Sequence, residues 1–307
     1  MKPETKSFYE TAVRRAVAHI AGRLDEALEL AALARLAALS PFHFHRVFRG
    51  MVGETPLELH RRLRMERAAH RLLQGDAGVT AVALEAGYDT HEAFTRAFRS
   101  LYGAPPSAFR QASSAARAGL RAPPTGLAAR SGIHYRPGAA AEDFIPFTVG
   151  EYAMNVDVKE MPAYRLATVP HVGPYHRIAE AFRKLGALAG PAGLFQYPRV
   201  AMIAVYHDDP ETTPAGELRA DAGLAVPDDA ALPEGLGEVR LRGGRYARAT
   251  HVGPYAGLGD AWARFMGEWL PQSGHRVGEG LSYEIYVNDP TTAAPHELTT
   301  ELYLPLA

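Results

Sequence analysis

The residues best suited to chemistry fall into two sets. The first is a pair of arginine-bearing stretches fifty residues apart, with Phe42, His45, Arg46 and Arg49 in one and His91, Glu92, Thr95, Arg96 and Arg99 in the other. A guanidinium bonds guanine O6 and N7 bidentately, an apolar ring packs on a thymine methyl, and a carboxylate accepts from a cytosine amino group. Arg46 and Arg96 are the first candidates for base contacts, with Phe42 for a methyl and Glu92 for an amino group. Arg49 and Arg99 suit phosphates, which position a protein without specifying sequence. The second set interleaves carboxylates with tyrosines: Glu284 and Tyr286 in SYEIYVN, Glu301 and Tyr303 in ELTTELYLPL, and Tyr206 and Asp221 at corresponding earlier places. Aromatic faces attract an organic cation by roughly 0.5–2 kcal/mol each, and a carboxylate supplies the counter-charge. Glu301 with Tyr286 or Tyr303 is also the one set that could serve as a general acid–base pair.

Other chemistry finds little support. There are no cysteines, so thiolate nucleophiles, disulfides and cysteine-bound zinc are excluded. The thirteen histidines show no HExxH spacing, and His171 and His251, in equivalent turns, are expected to bond backbone rather than metal. Neither a phosphate-binding glycine loop nor a G-x-S-x-G elbow occurs. No cofactor and no catalytic residue is expected.

The first set must be positioned by helices. Each stretch is the second member of a pair of short helices, expected over 29–37 and 41–51 and again over 79–86 and 90–101. Ser40 is an N-cap before Pro41 at the first helical position. Phe44, Val47, Phe48 and Met51 follow helical spacing as a buried face, as do Phe94, Ala97, Phe98 and Leu101. Between the pairs, Thr55 and Glu58 form a capping box with Pro56 at the head of a helix running to about 73. An earlier helix is expected over 7–21. Two short helices whose second member carries outward arginines have the physical form of a helix-turn-helix. One difference separates the copies: the first turn has Ala37-Ala38 where the second has Ala86-Gly87. If that turn needs a positive φ, alanine there costs roughly 1 kcal/mol, and the first unit is expected to sit slightly differently.

The second set must be positioned by strands. HVGPY at 171–175 recurs at 251–255, Asp209-Pro210 recurs as Asp289-Pro290, and Tyr206 recurs as Tyr286, all at an offset of 80. Each copy reads strand, helix, strand, strand, with further strands near 151–159 and 236–242. Alternation places Tyr283, Ile285 and Val287 toward the helices, and Leu298, Leu302 and Leu304 inside. Glu284, Tyr286, Glu301, Tyr303, Tyr206 and Asp221 would then share the open face of the sheet.

Between the two textures lies a stretch rich in Ala, Gly, Ser and Pro around Pro123 and Pro124, the composition of a linker. The expected fold class is therefore two domains: an all-α double helix-turn-helix domain over 1–111, a linker over 112–149, and an α+β domain of two pseudo-symmetric strand-helix-strand-strand repeats over 150–307. The net charge of −1 hides a split, +4 over 1–115 and −7 over 151–307, which suits a polyanion partner for the first domain. The N-terminal residues lack the apolar run of a signal peptide and no apolar run is long enough to span a membrane, so a cytoplasmic location without membrane partners is expected.

Residues 7–111 resemble the DNA-binding domain of the AraC/XylS family of transcription regulators. The stretches that carry this are LSPFHFHRVFRGMVGETPLELHRRLRMERAAHRLL and VTAVALEAGYDTHEAFTRAFRSLYGAPPSAFR. The resemblance implies that Phe42, His45 and Arg46 read one major-groove segment and that His91, Glu92, Thr95 and Arg96 read the next. Residues 150–307 resemble the GyrI-like effector-binding domain through HVGPY twice, YEIYVNDP and ELYLPL. This second resemblance implies a ligand pocket between the repeats, faced by Glu301 with aromatic neighbours, and hydrophobic or cationic ligands such as drugs. The expected protein is a one-component regulator of double-stranded DNA with a small-molecule effector and RNA polymerase as a further candidate partner. The rival readings are a ligand-sequestering protein and a hydrolase. Oligomeric state is left open, because two helix-turn-helix units in one chain can read two groove segments.

Overall fold

The computed structural model describes residues 3–75, 77–117, 125–127, 129, 131–138, 154–197, 200–208 and 213–307. Pro123, Pro124, the linker residues 139–149, strand residues 151–153 and the Asp209-Pro210 pair lie outside the described residues. The chain divides into two units, Tyr9–Thr148 and Val149–Ala307, the second of which also takes in Met1–Phe8.

The N-terminal unit is helical: α1 (Pro3–Gly22), α2 (Leu30–Leu36), α3 (Pro41–Val52), α4 (Pro56–Gln74), α5 (Val79–Glu85), α6 (His91–Tyr102) and α7 (Pro106–Arg117). The caps form as the sequence requires. The Ser40 hydroxyl accepts from the His43 N–H, and the Thr90 hydroxyl accepts from the Ala93 N–H. Thr55 and Glu58 satisfy each other's backbone N–H groups at 3.1 and 2.8 Å. Phe44, Val47, Phe48 and Met51 are buried, as are Phe94 and Phe98. Leu101, expected inside, is exposed. Phe98 instead stacks on Tyr102 and meets Phe109 of α7 edge-on, so the second core closes on α7.

The two helix-turn-helix turns use the same hydrogen bonds. Leu39 N–H reaches Ala34 O, and Tyr88 N–H reaches Ala83 O, each at 3.0 Å. This closure needs one left-handed residue at the helix end. Gly87 fills it at φ 81° and Ala38 fills it at φ 53°, the one non-glycine residue with positive φ among the described residues. The units differ in the number of residues from this left-handed position to the next helix: Ser40 caps α3 two residues after Ala38, whereas Thr90 caps α6 three residues after Gly87.

Two boundaries differ from expectation. Helix α7 continues to Arg117, past the expected end of the domain at 111. Described residues between 125 and 135 are hydrogen-bonded to the helices of this unit. Their composition is that of a linker, but backbone N–H groups are the same in every composition, and here they find buried partners.

The C-terminal unit is built on one antiparallel sheet of eight strands. In chain order these are β1 (Val156–Met161), β2 (Tyr164–Val172), β3 (Met202–Tyr206), β4 (Arg219–Val226), β5 (Gly237–Leu241), β6 (Gly244–Val252), β7 (Tyr283–Tyr286) and β8 (Thr299–Pro305). Helix α8 (Ala179–Ala189) follows β2. Helix α9 (Leu258–Arg264) follows β6 and continues through a π turn at Phe265–Trp269 to Ser273. The strand order is β1-β6-β8-β7-β3-β4-β2-β5. Reversing this order exchanges the two repeats, so the sheet has a pseudo-twofold axis between β3 and β7. Each repeat also lends its first strand to the other's outer edge: β1 pairs with β6 and β5 with β2. The edges carry Lys159, Glu160, Glu238 and Arg240, which blunts pairing with other chains.

Candidate functional site

On α6 the residues expected to meet DNA are presented together. His91, Glu92, Arg96 and Arg99 are exposed and Thr95 is half-buried. On α3, Phe42, Arg46 and Arg49 are half-buried, and the Arg46 guanidinium lies 4.6 Å from the Phe42 ring centre. His45, expected on the outward face, is 2% exposed. It follows Phe44 by one residue and precedes Phe48 by three, so helical rotation carries it to the margin of the apolar face. The outward set on α3 is therefore Phe42, Arg46 and Arg49.

In the C-terminal unit the sequence reading of β7 is inverted. Directly opposed residues of an antiparallel pair share a face. Glu284 opposes Leu302 and Ala204, while Tyr283 opposes Tyr303, and Ile285 opposes Glu301. Glu284 and Tyr286 thus face the helices, and Tyr283 and Ile285 face away. The same pairing separates Tyr206, opposite Ala220, from Asp221, opposite Val205. The six expected ligand residues split into two groups of three: Tyr206, Glu284 and Tyr286 on the helical face, and Asp221, Glu301 and Tyr303 on the other. Alternation could not decide the parity, because both registers of SYEIYVN carry a large ring. A carboxylate marks the solvent face only when nothing inside can bond it.

Here something does. Glu284 is 3% exposed. Its Oε1 accepts the indole N–H of Trp262 from α9 at 2.7 Å, and its Oε2 accepts the hydroxyl of Tyr286 at 3.1 Å. The Tyr206 and Tyr286 hydroxyls are 2.8 Å apart. Since Tyr286 gives its single proton to the carboxylate, Tyr206 donates to Tyr286, and the three groups form a directed chain. Burial, and then the charge of Glu284, hold the Tyr206 hydroxyl well above the ordinary tyrosine range, and burial and neighbouring Tyr206 do the same for Tyr286. Both stay protonated donors.

Around this chain stand rings from both repeats. Tyr175 lies 4.6 Å from Tyr206, Tyr255 lies 5.2 Å from Tyr286, and Phe182 of α8 meets Tyr286 edge-on at 5.5 Å. Tyr175 and Tyr255, Phe182 and Trp262, and Tyr206 and Tyr286 are three pairs at the offset of 80. Ala204 and Glu284 form a fourth, and they oppose each other across β3 and β7. The axis therefore runs past one position occupied by alanine in one copy and glutamate in the other.

The HVGPY motif positions two of these rings. The His171 and His251 Nε2 atoms lie 3.1 and 3.2 Å from the carbonyls of Pro174 and Pro254, to which they donate. Gly173 and Gly253 take φ near 133° in both copies, and their N–H groups reach Leu218 O and Leu298 O at 2.8 Å. The turn so fixed delivers Tyr175 and Tyr255 to the site. Neither ring, nor Phe182 or Trp262, was among the residues expected from sequence. The repeated HVGPY marks Tyr175 and Tyr255 in the sequence, and the same offset of 80 pairs Phe182 with Trp262.

Glu301 lies elsewhere and is engaged. Arg248 bonds it at 2.7 Å and bonds Asp157 at 2.8 Å, and Tyr303 donates to it at 2.6 Å. Asp221 is bonded to His207 at 2.6 Å. Glu301 and Tyr286, one pairing considered for acid–base work, are on opposite faces of the sheet. No cluster of three or more His, Asp or Glu able to hold a metal occurs among the described residues. No helix among them is long and apolar enough to cross a membrane.

Comparison with known proteins agrees with this division. The family model of the GyrI-like small molecule binding domain matches residues 154–307, and that of a helix-turn-helix domain of AraC type matches residues 33–112. A DNA gyrase inhibitor of Yersinia enterocolitica is 38% identical over 144 residues, covering 44% of this chain and 88% of the relative. The uncharacterized HTH-type transcriptional regulator YbfP of Bacillus subtilis is 35% identical over 103 residues, covering 34% of this chain and 35% of the relative. Among solved structures, the EcmrR-DNA complex in EcmrR-RPo matches with a TM-score of 0.40 and 18% identity, over 50% of this chain and 57% of that one.

Proposed function

This chain belongs to the GyrI-like small-molecule-binding family and is a ligand-sensing transcription regulator with an AraC-type helix-turn-helix domain; we propose that its effector is a lipophilic organic monocation. The observation that carries the proposal is the buried Glu284 carboxylate, bonded by Trp262 and Tyr286, in a cluster with six rings, three from each repeat. An indole N–H and a phenol O–H orient the carboxylate and bring no charge of their own. Hydrogen bonds to a carboxylate favour its ionised form, the form that would serve as counter-charge to a cation. A flat or branched aromatic cation resting on Tyr206 and Tyr286 would gain both ring attraction and the charge beneath. On the DNA side, Arg96 with Glu92 and Arg46 with Phe42 read two segments one helical turn apart. A ligand regulates by binding two states of the protein unequally. The working place is the cytoplasm, with RNA polymerase as the partner of the DNA-bound form.

The test is calorimetric titration of the full chain with tetraphenylphosphonium. Glu284→Gln is expected to weaken binding about tenfold or more, equivalent to about 1.4 kcal/mol. Glu301→Gln, across the sheet and paired with Arg248, is expected to leave it within about twofold. Equal affinity of wild type and Glu284→Gln would sink the counter-ion role. Mass spectrometry after incubation with a lipophilic cation that carries an ester separates sensor from hydrolase, since a sensor returns its ligand intact. Selection from randomised duplex DNA at fixed salt tests the other half, with a bipartite site as the expected product.

A further inference from the structure

Helix α4 carries a buried carboxylate that its own helix satisfies only in part. Glu66 lies on the apolar face with Met65, Ala69 and Leu72, and its side chain is 2% exposed. Burying a charge without partners is costly. Glu66 has four donors. Arg62 bonds Oε1 at 2.9 Å, the Leu127 N–H bonds Oε1 at 2.8 Å, His134 Nδ1 approaches Oε1 at 3.1 Å, and the Tyr135 N–H bonds Oε2 at 2.8 Å. Three of the four come from the segment after α7. Two are backbone N–H groups, which no change of surface side chains would remove.

Arg62 extends the network. It grips Glu54, just past the end of α3, at 2.9 and 2.6 Å, and it donates to Ile133 O at 2.8 Å. Burial pulls its pKa down, but Glu54 and Glu66 outweigh this and raise it. Ser131 is buried against Glu54 at 3.4 Å, and the Tyr135 ring meets His70 edge-on. At the other end, Tyr102, the last residue of α6, donates to Thr125 O at 2.6 Å. The segment therefore touches the end of α3, the middle of α4 and the end of α6. These are the two recognition helices and the helix between them.

We propose that the described residues of 125–135 are a positioning element of the DNA reader, holding the trailing ends of α3 and α6 to α4 through Glu66 and Arg62. The proposal rests on the DNA-binding reading of α3 and α6. It makes Glu66 a positioning residue for DNA recognition. It also means that the chain leading to the ligand-binding unit departs from a docked strap, so that undocking it would loosen the spacing of the two recognition helices.

The experiment uses the full chain. Hydrogen exchange in the absence of DNA comes first, and the amides of Leu127 and Tyr135 are expected to be protected at the level of α4. Fast exchange at both would overturn the proposal, whatever happens with DNA. Binding is then measured to a selected duplex and to duplexes whose two segments are moved apart by one and two base pairs. Leu127→Pro removes one donor outside the helical core, and Glu66→Gln keeps an acceptor but removes the charge. Each is expected to bind the selected site about fivefold more weakly, the worth of one hydrogen bond, and to lose less affinity than wild type on the respaced duplexes. Variants that keep native circular dichroism together with unchanged affinity and spacing dependence would overturn it. If Leu127→Pro does not fold, Glu66→Gln and the exchange data decide.

Discussion

Both halves of this chain are doubled, and the two doublings are joined in opposite ways. In the N-terminal unit a 19-residue helix stands between the copies. Each copy keeps its own cap and its own aromatic pair, Phe44 with Phe48 at 5.6 Å and Phe94 with Phe98 at 5.5 Å. The result is two recognition surfaces. In the C-terminal unit the copies touch strand to strand, β3 on β7, and the result is one site. Fusion of that kind makes the residue at the axis decisive. Directly opposed side chains have Cβ atoms roughly 5 Å apart, so glutamate in both copies would set two carboxylates against each other and force one to stay protonated. Alanine at 204 leaves a single carboxylate, at 284, for six rings to surround. A spacer preserves two candidate surfaces, and a shared sheet turns two imperfect copies into one asymmetric candidate site.

The contrast between the two doublings can be broken most forcefully at the aromatic cores. Phe98→Ala and Phe48→Ala each remove a fully buried ring and are expected to cost about 3–5 kcal/mol in denaturant unfolding. If the copies are independent surfaces on one spacer, each loss should weaken recognition of its own DNA segment first. A variant that abolishes both segments equally would show one cooperative reader instead. Next in size are the arginines. Arg96→Ala and Arg46→Ala are expected to cost about 1–3 kcal/mol each and to relax specificity in separate segments. Equal losses on every sequence would demote them to phosphate contacts. Smallest is the pair of turns. Left-handed alanine costs about 1–2 kcal/mol, and glycine gives back about 0.4–1 kcal/mol in chain entropy. Ala38→Gly should therefore stabilise the first unit by roughly 0.5–1 kcal/mol, read as a rise in denaturation midpoint. Gly87→Ala should go the other way by about 1 kcal/mol or more, because alanine would have to take φ 81° and the Arg64 guanidinium would have to move from its Cβ. Like signs for the two would mean that the turns are not equivalent.

Much of this was legible before folding was considered. The helix-turn-helix pairs, the caps at Ser40 and Thr55, the strand–helix–strand–strand repeats and the outward face of α6 all come from local rules. Those rules are spacing, capping and turn chemistry, and they act within a few residues. The strained turn at Ala38 was legible for the same reason, since its hydrogen bonds close within five residues.

What the sequence left open was decided by contacts across long stretches of chain. The parity of β7 depended on whether Trp262, 22 residues earlier, could satisfy Glu284 inside. The occupation of Glu301 depended on Arg248, 53 residues earlier. His45 went inward because it borders a face whose width the helical period alone does not set. The apparent linker became part of the DNA reader because a buried carboxylate 61 and 69 residues before it needed N–H donors. The sequence by itself determined the elements, their doubling and the residue types available for chemistry. Only the tertiary structure decided which carboxylate is bonded by an indole and a phenol and which by an arginine, because that depends on which donors are brought within bonding distance.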